Sequence, residues 1–319
     1  PEAKGRGAAV RSFMEIADYL EADLVILAAD MVPVEPDKFR TLLFTLMEPI
    51  RHNYDMALGR FRRSFGDDLE SILFTSPLIE VFYGSLISDP HSRIYAVSHD
   101  LVENLLQELK LWNNVVYDYG IDPWLITRAL RWGKRLCEVH LGDKSSFVSK
   151  DKMSYVFKQT IYTLFECIKR DIRFLLSRDS VYQRLDNWGR AYFPEYKHEA
   201  IPIDADDLLL SFRQNCAQYQ HLIKSILPER LADRVMEGLV YPEASFSFDH
   251  NTWAKTVYHY LLAYSFNEEV PRDDLMMSLT FMFDGRMADV LCKARTDLEK
   301  EAYKGGYAAG GRFGEPPML

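Results

Sequence analysis

Long apolar runs are missing from this sequence: nowhere do the ~18 consecutive hydrophobic residues of a bilayer-spanning helix occur, so no membrane span is expected. A cationic surplus is missing as well. Lys and Arg total 38 against 47 Asp and Glu, a net charge of −9. A protein that neutralises a phosphate backbone needs the opposite imbalance on its binding face, so nucleic acid is not expected as a partner. Cysteine is scarce: Cys137, Cys167, Cys216 and Cys292 stand too far apart for the paired spacings of a zinc site or a disulfide framework. Reduced thiols and a cytoplasmic location follow as the default. An initiator methionine and a signal-like segment are lacking too, and Pro1 to Gly7 reads as a loop entering a helix, so further chain is expected ahead of it.

What is there suits a globular protein with room for two cores: 319 residues, 48% hydrophobic and 27% charged. The organising stretch is Leu24-Val25-Ile26-Leu27-Ala28-Ala29-Asp30-Met31, an apolar run that stops on one carboxylate. Consecutive aliphatics predict a strand buried on both faces. Ligands of open α/β sheets bind beyond the carboxyl ends of the strands, so Asp30 is a candidate for facing a substrate or metal, or else an Asp that begins a turn. Ahead of it, Val10, Phe13, Met14, Ala17 and Leu20 recur at helical spacing over 8–20. Lys4 and Arg11 flank that helix start, where free N–H groups favour anions.

Further strands are predicted at Asp55–Phe61, Arg93–Val97 and Leu136–Leu141, with helices from Pro36 to Arg51, from Asp67 to Leu86 broken at Pro77, and from His99 to Leu111. Arg60, Arg62 and Arg63 could hold a carboxylate or phosphate by bidentate hydrogen bonds, or form a solvated cluster neutralised by Asp67, Asp68 and Glu70. In Tyr117-Asp118-Tyr119-Gly120-Ile121-Asp122-Pro123-Trp124 an acidic, aromatic loop runs into a helix. Asp122 can cap that helix or hydrogen-bond a sugar hydroxyl, and Tyr119 and Trp124 offer apolar faces to a sugar ring.

The second half is helical by pattern, over Lys152–Ser177, Asp204–Ile226, Pro228–Gly238, Asn251–Phe266 and Asp273–Tyr303, with Asn187–Pro202 as a linker and a Gly- and Pro-rich end. Asp204, Asp206 and Asp207 are explained by capping and the helix dipole. The aromatics Trp253, Tyr258, Tyr260, Tyr264 and Phe266 read as core or as a contact between copies, a homo-oligomer through the helical part. The expected domains are 1–150, 151–303 and a flexible tail over 304–319.

In their order, these motifs resemble the glycosyltransferases of the GT-A fold typified by mannosylglycerate synthase and the glucosyl-3-phosphoglycerate synthases. Pro1 to Gly7 is similar to their Pro-Gly-Lys-Gly loop, Ala28-Ala29-Asp30 to their Asp-X-Asp metal motif, and Phe61-Arg62-Arg63 to their arginine segment near the acceptor. Tyr119-Gly120-Ile121-Asp122 is similar to their Trp/Tyr-Gly-Ile/Val-Asp/Glu signature, and Phe246-Ser247-Phe248 with Thr252 to His259 to their C-terminal helical region. The resemblance implies an α/β, Rossmann-like GT-A domain lacking its first strand, followed by an all-helical domain.

It also implies transfer of a sugar from a nucleotide-diphosphate donor to a small hydroxy-acid acceptor of the glycerate or phosphoglycerate type. A divalent metal, Mg or Mn, would offset the charge on the leaving diphosphate. Carried over by residue, Asp30 would bind metal and donor, Lys4 and Gly5 the donor, Arg60, Arg63, Tyr119 and Trp124 the acceptor, and Asp122 would be catalytic. The sequence departs from the pattern at Ala28, which replaces the first metal-motif Asp, and at Ser146 and Phe147, which fall where the family has His and Arg. Ser92-Arg93-Ile94 stands in place of a Gly-Gly-Glu loop, and His140 is a substitute ligand or a packed histidine. These departures leave open a second reading, a catalytically impaired homologue that binds a nucleotide sugar or a partner.

Overall fold

The computed structural model describes residues 5–28, 36–62, 69–143, 150–177, 183–190, 204–240 and 246–309. They fall into two compact units, 1–202 and 203–319. The first is α/β, built on a five-stranded mixed sheet in the order β1-β4-β2-β5-β7. Its strands are β1 (Leu24–Ile26), β2 (Met56–Arg62), β4 (Tyr95–Val97), β5 (Leu136–Asp143) and β7 (Asp186–Arg190), with a small parallel pair of β3 (Ser85–Leu86) and β6 (Gln183–Arg184) beside it. β2 runs parallel to β5, and β5 to β7, whereas β4 lies antiparallel between β1 and β2. The carboxyl ends of β1, β2, β5 and β7 therefore share one edge.

The sheet forms where apolar side chains meet on both faces of its central strands. Helix α2 (Pro36–Arg51) lays Leu42, Leu46 and Ile50 against Ala57 and Phe61 of β2, Ala96 of β4, and Cys137, Val139 and Leu141 of β5. The opposite side of the first half of β2, Met56 and Leu58, is equally buried, which explains why the strand opens on three consecutive apolar residues before Arg60. Burial in that core pushes the Cys137 thiol up to about 12, so it stays protonated.

The expected long, doubly buried strand from Leu24 is a correction. β1 has three residues, sits at the edge with β4 as its one strand neighbour among the described residues, and leaves Leu24 and Val25 half-exposed. Its length is set by its partner. Arg93 enters β4 with φ 61, a left-handed turn, and Ser98 leaves it as the N-cap of α4 (His99–Gln107), accepting from Leu101 N–H, so the ladder stops after three pairs. Beside this edge, α1 (Arg6–Tyr19) buries Val10, Met14 and Ala17 and exposes Phe13, Ile16, Tyr19 and Leu20 nearby.

Pro77 does not break its helix. A π-helical turn over Ser71–Thr75 runs directly into α3 (Ser76–Tyr83), which puts Pro77 in the first turn, where its missing N–H costs nothing. The chain then turns at Gly84, whose N–H bonds the carbonyl of Glu80.

The boundary at 150 is also corrected. Helix α6 (Lys150–Ser177) packs on α3 and α5 (Ile121–Arg131) within the first unit, through Phe157, Ile161, Leu164 and Phe165. Residues 187–190, expected in a linker, return to the sheet with Asp186 as β7. Its sequence, Asp-Asn-Trp-Gly-Arg, carries no apolar alternation; Trp188 packs on Tyr54 and His52.

Among the described residues the second unit has only helices: α7 (Ala205–Gln218), α8 (Gln220–Ile226), α9 (Glu229–Val240), α10 (His250–Phe266) and α11 (Arg272–Ala309). Asp204 caps α7 by accepting from Asp206 N–H at 2.9 Å, as expected for that acidic run. The helix predicted over Asp204–Ile226 divides at Tyr219, and α11 continues to Ala309, so the first part of the supposed tail is helical; 310–319 lie outside the described residues. Trp253, Tyr260 and Tyr264 are core, whereas Tyr258 and Phe266 of the same set are exposed. No helix among the described residues is long and apolar enough to cross a membrane.

Candidate functional site

Beyond the carboxyl end of β1, the sequence brings together side chains from three distant segments. Tyr95 stands opposite Ile26, the last residue of β1. Arg6 reaches in from the first turn of α1, and Asp122 from the first turn of α5, where the helix dipole favours a carboxylate. Arg6 Nε donates to Asp122 Oδ1 and Oδ2 at 3.1 and 3.2 Å, and Nη2 donates to Oδ1 at 2.9 Å and to the Arg93 carbonyl at 3.2 Å. Asp122 is 2% exposed. Desolvation, the largest influence, would lower the Arg6 guanidinium's affinity for its proton, but the charge of Asp122, with Tyr95 and the hydrogen bonds to both, together outweighs it and holds Arg6 above its usual value. Burial and the same carboxylate push Tyr95 well above the usual phenol range, so it is a neutral donor facing the pair.

Two glycines make this approach geometrically open. Gly5 has φ 130, a conformation L side chains rarely adopt, and a Cβ there would lie 2.7 Å from the Tyr117 carbonyl. At Gly7 a Cβ would lie 1.9 Å from the Val116 carbonyl. Their close contact lets Gly7 N–H bond the Asp118 carbonyl at 3.1 Å and Ala8 N–H the Tyr117 carbonyl at 2.8 Å. Those first-turn donors are therefore committed to the 117–118 loop, which corrects the expectation of free N–H groups for an anion at this helix start. Gly7→Ala is expected to force α1 off the loop and destabilise by about 1–3 kcal/mol. Urea unfolding measures it, and an unchanged midpoint would contradict the packing.

The loop continues the site. Asp118 accepts from Tyr155 Oη at 2.7 Å and Gln159 Nε2 at 3.0 Å, while Gln159 Oε1 accepts from Tyr119 N–H at 2.7 Å. The half-exposed Tyr119 ring carries the Arg93 guanidinium 5.2 Å and the Lys152 ammonium 6.0 Å from its centroid. Arg93, whose carbonyl Arg6 holds, is a non-glycine residue at positive φ, the kind of stored backbone strain that concentrates at ligand sites.

Of the candidates from sequence, Gly5, Tyr119 and Asp122 meet here. Asp122 is not the helix cap, since Gly120 holds that position and the carboxylate is spent on Arg6. Trp124 is a correction: it is 1% exposed and packs edge-on to Trp112 at 5.0 Å, because residues 121–129 of α5 are buried all round, so it offers no face to a sugar. Arg60 lies 3.6 Å from the buried Glu138 of β5, whose other bonds come from Ser88, so part of its charge is offset within the fold. Arg11 is committed to Glu15 and Tyr117. Lys4, Asp30, Arg63, Ser146 and Phe147 lie outside the described residues.

Sequence reasoning missed Arg6, Tyr95 and the loop acid Asp118. The signal for Arg6 was its placement between Gly5 and Gly7, which marks a basic residue carried where backbones nearly touch.

The residues described at this edge do not fit a divalent cation. Ala28 presents a methyl group, and the Asp122 carboxylate is neutralised by Arg6. Three side chains that could share an ion, Asp18, His99 and Glu103, sit at the other end of β1, where His99 Nε2 is 3.7 Å from Asp18 Oδ1. No family model and no curated protein matches this chain.

Proposed function

We propose that the first unit is a GT-A-type glycosyltransferase domain that takes a nucleotide-diphosphate sugar at the carboxyl edge of the sheet and passes the sugar to a small hydroxy acid. The observation that carries this reading is the Arg6–Asp122–Tyr95 cluster, which lies beyond β1 where ligands of open α/β sheets bind, with the half-exposed Tyr119 ring on the loop that closes over it. On this reading the half-exposed Tyr119 ring holds Arg93 and Lys152 over it, and these two supply positive charge for the diphosphate. Asp122, locked to Arg6, acts as a positioning residue that holds the α5 end and the Arg93 turn in place rather than as a base that takes a proton.

A second reading, a nucleotide-sugar binder without transferase activity, is favoured by Ala28 and by the neutralised Asp122. Calorimetric titration of the full chain with UDP- and GDP-sugars, with and without magnesium or manganese, tests the first step. Incubation with glycerate or phosphoglycerate and mass detection of the product tests the second. Saturable binding with transfer supports the transferase, binding without transfer supports the binder, and the absence of binding by every donor overturns both.

A further inference from the structure

The second unit contains a cavity of about 520 Å³ between α9 and α10, unrelated to the edge described above. That volume falls within the range of small-ligand pockets. Its walls carry two basic ladders: Arg230 and Arg234, one turn apart on α9, and Lys255 and His259, one turn apart on α10, with His250 at the α10 start. Arg230 and Lys255, exposed on facing helices, bring two positive charges to one concave space, where an anion would be favoured. The whole chain, moreover, is acidic by nine charges.

The single carboxylate among the lining residues, Asp249, offsets Arg234 alone. Asp249 Oδ1 accepts from Asn251 N–H at 2.9 Å and Thr252 N–H at 3.0 Å, and Oδ2 accepts from Thr252 Oγ1 at 3.2 Å and Arg234 Nη2 at 2.7 Å. Burial would raise this acid, but the Thr252 N–H and Arg234 hold it below the usual carboxylate range, as a cap already saturated with donors. It also takes up the Asn251 and Thr252 N–H groups of the first turn of α10, so an anion here would be held mainly by side chains. Arg230, Lys255 and His259 remain around a concave space floored by Leu231 and Pro228.

We infer that the groove between α9 and α10 binds a small phosphorylated molecule, with Arg230 and Lys255 on the phosphate and the apolar floor under the rest. The site is independent of the proposed sugar-transfer edge, and none of its residues takes part there.

Titration of the full chain with inorganic pyrophosphate, followed by calorimetry at low ionic strength, tests it. Saturable binding is expected, and the doubly substituted Arg230→Gln/Lys255→Gln chain should bind about tenfold more weakly, the loss of charge-assisted contacts to a phosphate. Both side chains are exposed, so circular dichroism should show the fold unchanged; His259→Gln, expected to weaken binding less, serves as a second variant. The absence of saturable heat from the parent chain, or equal affinity in the double variant, overturns the assignment.

Discussion

Asp171→Ala is expected to lower the stability of the first unit by about 3–5 kcal/mol, the loss seen when one member of a buried ion pair is removed. Asp171 of α6 sits 5% exposed between Arg128 of α5, which donates to it through both Nη atoms, and Tyr83 of α3, whose hydroxyl donates to it at 2.8 Å. Arg131 approaches the same carboxylate at 3.6 Å. Three helices are thus tied at one acid. Without it, Arg128, itself 1% exposed and with its Nε already lacking a partner, would keep a buried charge facing only Glu108 at 3.8 Å. Burial first, then Cys167 and Asp171, push Tyr83 well above the usual phenol range against the opposing charge of Arg128, so in the parent chain it is a neutral donor to Asp171.

At roughly 2–4 °C per kcal/mol for a unit of this size, the melting transition should fall by roughly 6–20 °C. Differential scanning calorimetry reads this directly, and a shift below about 2 °C would show the pair to be dispensable. Asp171→Asn keeps volume and one acceptor and should fall between. Replacing both partners, Arg128→Met with Asp171→Leu, should recover much of the loss, because the greater part of the cost lies in stranding one charge.

This network marks where local pattern stops being informative. The helix carrying Asp171 is legible, because Val156, Phe157, Ile161, Leu164, Phe165 and Ile168 repeat along one face. Its allegiance is not: a long amphipathic helix followed by other helices reads as their companion, yet its apolar face meets α3 and α5 of the sheet unit. β2 and β5 are legible because apolar residues recur on alternate positions, Ala57 and Phe61 in one and Cys137, Val139 and Leu141 in the other, all on the face that meets α2. β7 is hidden because its ladder with β5 is made by backbone groups, which leave no trace in side-chain periodicity. β1 is overextended in sequence because strand length depends on the partner, and β4 is cut short by the Arg93 turn and the Ser98 cap.

At the candidate site the same division holds. Tyr119-Gly120-Ile121-Asp122 stands out because an aromatic, a glycine and an acid at a helix start are locally unusual. Asp122's true partner lies 116 residues away, and no spacing within the segment points to it. The carboxylate consequently reads as an available functional group when it is half of a closed pair. Trp124 fails for a related reason. Its ring reads as a free apolar face only as long as the loop of Trp112 is not known to cover it.

Arg6→Ala is the substitution expected to disturb the proposed site most. It removes three hydrogen bonds to Asp122 and one to the Arg93 carbonyl at once, and leaves a carboxylate that is 2% exposed with no cation. A loss of about 3–5 kcal/mol is expected on the same grounds as for Asp171. Arg6→Lys keeps the charge but cannot reproduce the fork that reaches carboxylate and carbonyl together, so it should recover only part.

The variant that separates scaffold from function is Arg6→Met with Asp122→Leu. It strands no charge, so urea unfolding should return near the parent midpoint, while the Arg93 turn loses its tether and Tyr119 loses its placement under that guanidinium. On the reading proposed above, nucleotide-sugar binding should be lost in this double variant even though the fold survives. Binding that persists undiminished in a stable double variant would leave the pair as a structural clasp between α1 and α5 and move the donor site elsewhere along the sheet edge.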